Sequence, residues 1–68
     1  MIEISINGEI RALDGEMTLS QMLGTLGYRR DQGFAVAVNM VFVAIDKYDI
    51  TTIKEGDAID ILAPVQGG

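Results

Sequence analysis

MTLSQMLGTLG, residues 17–27, carries the punctuation of one helix at both ends. Thr18 is a favoured N-cap type, and Gln21 stands three residues later. That is the spacing of a capping box, in which each side chain accepts a hydrogen bond from the other residue's backbone amide. Met17 before the cap and Met22 at the fourth helical position have the spacing of a hydrophobic staple. Leu19, Met22, Leu23 and Leu26 follow i, i+3, i+4, i+7, so one face is apolar. Gly27 sits where a C-terminal glycine cap belongs. Gly24 inside the helix costs about 1 kcal/mol relative to alanine, and its missing side chain suggests close packing by another element. The methionines read as core filler rather than as a binding stripe.

The segments on either side have the period of strands. Ile2, Ile4 and Ile6 alternate with Glu3 and Ser5, which predicts a half-buried strand. Asn7-Gly8 is a strong hairpin signal, and Glu9 to Leu13 reads as the returning strand, ended by Asp14-Gly15. After a polar loop over 28–33, Phe34-Ala35-Val36-Ala37-Val38 is a short Val-rich run that predicts a strand buried on both faces. Asn39-Met40 reads as a tight turn and Val41-Phe42-Val43 as a short strand. Residues 46–54 are irregular with room for a helical turn. Glu55-Gly56-Asp57 is another turn, and Ala58 to Ala63 is the last strand, stopped by Pro64. Two hairpin-like halves therefore flank one helix. The economical packing is α+β: a mixed sheet of four to five strands with one main helix across one face. The first and last strands can pair in parallel at its centre.

A chain of 68 residues has room for one domain, and cores of this size are marginal. The expected division is a domain over 1–64 and a flexible C-terminal tail over 65–68. The apolar share of 49% is enough for one compact core and weighs against intrinsic disorder. There is no cysteine and hence no disulfide. A formal charge of −5 disfavours nucleic acid, whose phosphates are held by Lys and Arg. It suits a basic partner, or serves only solubility. The first residues lack the basic start and apolar run of a signal peptide, and no segment approaches the length of a membrane span. The expected location is cytoplasmic.

Catalytic equipment is sparse. The chain has no His and no Cys, so it lacks the commonest general base, a thiol nucleophile and a zinc thiolate cluster. It contains neither phosphate-binding glycine pattern. Asp57 and Asp60 diverge on a strand and read as solvated surface. No metal or cofactor is expected on this chain. The one remaining reactive group is the α-carboxylate of Gly68, at the end of Pro64-Val65-Gln66-Gly67-Gly68. As an anion at neutral pH it is a poor electrophile, so activation requires a partner that supplies ATP and Mg²⁺. Bare glycines suit passage through a narrow channel.

The pattern Ala35-Val36-Ala37-Val38-Asn39, then Glu55-Gly56-Asp57, an Ile-rich strand and Val65-Gln66-Gly67-Gly68 resembles the ThiS family, the sulfur carriers of thiamine biosynthesis. The resemblance spans essentially the whole chain. It implies the ubiquitin-like β-grasp fold, in agreement with the element order above. It also implies that an E1-like adenylyltransferase of the ThiF type adenylates Gly68 and that a sulfur donor, such as a cysteine desulfurase, converts it to a thiocarboxylate. A thiazole synthase of the ThiG type then takes the sulfur. The carrier is acted upon and is not itself an enzyme. Many family members carry Pro-Arg and then Trp where this chain has Ala44-Ile45 and, nearby, Tyr48.

Other carriers share the fold and the Gly-Gly end: the small subunit of molybdopterin synthase, usually longer, and carriers for tRNA thiolation or protein conjugation. A β-grasp binding module, such as an RNA-binding regulatory domain, would make the glycines incidental. For a carrier, the expected partner contacts are Phe42, Ile45, Val65, Gln66 and Gly67, because an exposed apolar patch beside a reactive tail would orient it. The competing expectation places Phe42 in the core.

Overall fold

The computed structural model describes residues 1–29 and 33–62. Its principal sheet has five strands in the order β2-β1-β7-β4-β5. They are β1 (Ile2–Ile6), β2 (Glu9–Leu13), β4 (Ala35–Val38), β5 (Val41–Val43) and β7 (Ala58–Leu62). The parallel pair is β1 with β7, in the register Ser5 opposite Ala58 and Ile6 opposite Ile59. The pairs β1–β2, β4–β5 and β4–β7 are antiparallel. Helix α1 (Leu19–Thr25) packs on one face of this mixed sheet.

Both hairpins turn on an asparagine. Asn7 and Gly8 have φ of 51° and 86°, and Asn39 and Met40 have φ of 51° and 69°. Positive φ at both central residues is the turn whose twist matches that of the strands it joins. Asn tolerates that region because its short amide can bond locally.

The helix ends as its sequence prescribes. Thr18 Oγ1 accepts from the Gln21 amide at 3.1 Å, and Gln21 Oε1 accepts from the Thr18 amide at 2.9 Å. The Leu19 amide donates to the Thr51 carbonyl at 2.7 Å and the Ser20 amide to the Tyr48 carbonyl at 3.0 Å. The first three amides of the helix, which have no partner within it, are thus satisfied by the cap and by the segment 48–51. At the other end Gly27 adopts φ of 88°. Its amide donates to Gly24 and that of Tyr28 to Leu23, the two bonds of a Schellman cap.

Leu19, Met22 and Leu23 are buried on the helix face. They meet Ile4, Ile6, Val36, Ile59 and Ile61 from the sheet, with Leu13, Tyr48 and Ile53 completing the core. Met17 packs against the same cluster, as the staple spacing anticipates.

Three details differ from the sequence reading. Gly24 is exposed and nothing lies within 4 Å of where its side chain would stand, so it accommodates no neighbour. In β4, Val36 faces the core and Ala37 is covered on the other side, but Ala35 is exposed. Among the described residues no second layer covers that outer face, and Ala37 lies between its cross-strand neighbours Phe42 and Asp60. The irregular stretch after β5 holds the helical turn for which the sequence left room, a 3₁₀ helix over Ile45–Lys47. It also contains β6 (Thr52–Ile53), which pairs with β3 (Met17–Thr18) directly before the helix. Among the described residues, no helix is long and apolar enough to cross a membrane.

Candidate functional site

The final strand β7 lies between β1 and β4, so the chain beyond Leu62 starts from the middle of the sheet. The expected tail, including Val65, Gln66, Gly67 and Gly68, and the domain boundary at Pro64 lie outside the described residues. What the structure presents is the platform from which that tail departs.

Two asparagines fix the platform. β1 ends where the chain turns away at Asn7, so the Asn7 carbonyl cannot continue the parallel ladder. Its side chain takes over: Asn7 Oδ1 accepts from the Ile61 amide at 2.8 Å, beside the main-chain bond from the Asn7 amide to the Ile59 carbonyl at 2.9 Å. At the opposite end and on the opposite flank, Asn39 Oδ1 accepts from the Ala58 amide at 2.9 Å, and the Asn39 amide donates to the Ala58 carbonyl at 2.7 Å.

Asp57 joins this second contact. Its Oδ1 accepts from Asn39 Nδ2 at 3.0 Å and its Oδ2 from the Lys54 amide at 2.8 Å. The carboxylate therefore braces the turn ahead of β7, where the sequence suggested a solvated charge. Asp60, on β7, is exposed and shares no partner with it. Nearby, Glu55 Oε1 accepts from the Glu3 amide at 3.0 Å, and the Gly56 amide donates to the Glu3 carbonyl at 2.7 Å. These carboxylates serve backbone amides and form no acid–base pair. Among the described residues, no group of three or more acidic, His or Cys side chains converges on a metal position.

The sheet face away from α1 carries an apolar surface. Phe42 is 68% exposed at the centre of β5. It alternates with Val43, which packs on the core, so the strand period sends it outward. The structure thus excludes Phe42 from the core. Its cross-strand row runs through Ala37 to Asp60, and the next row pairs Ala35 with Leu62. Phe42, Ala35 and Leu62 thereby share one face, with Leu62 53% exposed at the end of β7. Ile45 is also 53% exposed, at the start of the 3₁₀ helix. Tyr48, three residues later, is 2% exposed and belongs to the core. Leu62 was not among the expected contacts. Strand period alone would have found it, because it falls on the Asp60 side of β7.

Comparison with known proteins agrees with this architecture. The crystal structure of a thiamine biosynthesis protein (ThiS) from Geobacter metallireducens superposes with a TM-score of 0.85, covering 98% of this chain and 100% of that one at 26% identity. The NMR solution structure of a thiamine biosynthesis protein from the same organism gives a TM-score of 0.80 at 26% identity, covering 98% and 88% of the two chains. A thiazole synthase from Paramagnetospirillum magneticum is 33% identical over 67 residues; the match takes in 98% of this chain but 20% of that protein. The chain thus spans about a fifth of the length of this relative. The ThiS family model matches residues 4–68. On these grounds the chain belongs to the ThiS family and has its β-grasp fold.

Proposed function

We propose that this chain is a sulfur carrier of thiamine biosynthesis, whose working group is the carboxylate of Gly68. The observation that carries the reading is the family match over 4–68, which includes Gly67 and Gly68. The described residues add a braced sheet with β7 at its centre. The chain is then a substrate of other enzymes.

The chemistry follows from the group. An E1-like adenylyltransferase bound to Mg-ATP joins the Gly68 carboxylate to the α-phosphate, and pyrophosphate leaves. The acyl carbon now carries a good leaving group. The outer sulfur of a donor persulfide attacks it and AMP departs, leaving an acyl disulfide. A thiol reductant then cleaves the S–S bond, forming a disulfide with the donor's inner sulfur, and a thiocarboxylate remains on Gly68. ATP and Mg²⁺ belong to the activating partner, and a cysteine desulfurase is the proposed source of sulfur. The acceptor is a thiazole synthase. A relative bearing that name contains a region resembling this chain, which supports the pairing. Residues 65–68 form the transferring arm on a domain of residues 1–64, and the reactions take place in the cytoplasm.

The apolar face with Phe42 and Ile45 orients the chain on its partners, while Val65, Gln66 and Gly67 line the path to the nucleotide. Removal of Gly67 and Gly68 tests the reading. The shortened chain should keep the fold and lose all transfer of sulfur. Undiminished sulfur transfer without the two glycines contradicts the proposal.

A further inference from the structure

We propose that Phe42, Ala37 and Asp60 form a seat for an arginine side chain of the activating adenylyltransferase. The inference rests on the sulfur-carrier reading and names the partner chemistry that the outer sheet face takes. The three residues lie in one cross-strand row, Phe42 opposite Ala37 and Ala37 opposite Asp60. Phe42 is exposed at one end of the row and Asp60 at the other. Two strand spacings separate them, about 10 Å, with only the small Ala37 between. The outward neighbours of Asp60 on its own strand, Ala58 and Leu62, are apolar.

The charges of the chain leave this face without a cation. Ile59 and Ile61 are in the core, so the strand period sends Asp60 outward. The outward positions of the five strands hold two carboxylates, Glu3 and Asp60, and no base. Arg11 is on the other face, opposite Ile4, and Arg29, Lys47 and Lys54 lie outside these strands. The acids just ahead of β7 already serve backbone amides, Asp57 that of Lys54 and Glu55 that of Glu3. Asp60 has no ion pair or hydrogen-bond partner among the described residues. A carboxylate in apolar surroundings, in one row with an exposed ring, is complementary to an incoming cation. Arginine fits better than lysine. Its planar fork gives a carboxylate two parallel N–H bonds, and its flat face stacks on an aromatic ring. In this row one guanidinium can do both.

The test measures adenylation of Gly68 by the activating enzyme and Mg-ATP, for the wild-type chain, Asp60→Asn, Phe42→Leu, their combination and Glu9→Gln. Asparagine keeps the size and removes the charge. Leucine keeps the apolar bulk and removes the ring. Glu9→Gln removes one charge from the opposite face, beside Ile6 on an edge strand. Asp60→Asn should raise KM by about tenfold, as for the loss of a charge-assisted bond, and leave kcat near the wild-type value. Phe42→Leu should raise KM by about threefold. Beside Asp60→Asn it should add much less, because the two residues hold one group. Glu9→Gln should keep the wild-type KM. Thermal melts of all the variants should stay close to the wild type, since each altered side chain is exposed.

An unchanged KM in Asp60→Asn overturns the inference, as does an equal rise in Glu9→Gln, which would mark a general effect of net charge. Effects of Asp60→Asn and Phe42→Leu that simply multiply overturn the shared seat. So does a dimer of the wild-type chain in sedimentation that Phe42→Leu dissolves, because a second copy would then occupy the face. Failure of the wild-type chain to be adenylated, by an enzyme active on another carrier, would instead remove the sulfur-carrier reading, and the seat for that enzyme with it.

Discussion

Asn39 and Asp57, eighteen residues apart, hold each other across the entrance to the last strand, with Asn39 Nδ2 donating to Asp57 Oδ1 at 3.0 Å. Each also secures backbone: Asn39 accepts from the Ala58 amide and Asp57 from the Lys54 amide. Asn39→Gly retains the left-handed turn but loses two side-chain bonds. It should cost about 1–3 kcal/mol by denaturant unfolding, since each bond is worth about 0.5–1.5 kcal/mol. Asn39→Ala should cost more, because alanine at φ of 51° adds about 1 kcal/mol of backbone strain. Equal stabilities for the two variants would contradict this account.

Two glycines three residues apart in the helical segment should respond with opposite signs. Gly24 is helical, exposed and unencumbered, so Gly24→Ala should stabilise the chain by about 1 kcal/mol. Gly27 closes the Schellman cap at φ of 88°, and Gly27→Ala should destabilise it by about 1 kcal/mol. Thermal melts of the two variants should shift in opposite directions.

Met40 occupies the second central position of its turn at φ of 69° and is exposed. A side chain there carries strain with no packing in return. Met40→Gly should raise stability by about 0.5–1 kcal/mol, since glycine is favoured at this position. A lower melting temperature for Met40→Gly would mean that the Met40 side chain makes a stabilising contact.

Phe42 and Tyr48 should separate docking from folding. Tyr48 is buried, and Tyr48→Ala should cost about 3–5 kcal/mol, the range for large core aromatics. Phe42→Ala should change stability by no more than about 0.5 kcal/mol, as for surface positions, and should raise the KM of the activating enzyme for this chain. A Phe42→Ala variant with unchanged KM removes Phe42 from the proposed contact face.

The sequence reading succeeded where the signal is local. The capping box, the glycine at the helix end and the two Asn turns each lie within a few residues, and each formed as expected. The parallel pairing of β1 with β7 followed from the element order. Features set by distant contacts were less legible. β3 and β6 have two residues each, too few to show a period, and they meet across a separation of more than thirty positions. A Val-Phe-Val triplet reads equally as core or surface, and only the open outer face decided for Phe42. Asp57 carried no sign of its brace, because its partner Asn39 sits in another turn. The expected tail contacts fall on residues the structure does not describe.

The most direct test of the central claim is fragmentation of the chain in a mass spectrometer after incubation with an E1-like adenylyltransferase, Mg-ATP, a sulfur donor and a thiol reductant. The modification must be placed on the C-terminal fragment, because oxidation of any of the four methionines has nearly the same mass as exchange of oxygen for sulfur. The account predicts that one oxygen of the Gly68 carboxylate is replaced by sulfur, and that omission of ATP prevents it. An unmodified Gly68, with an enzyme and donor shown to be active on another carrier, would contradict it.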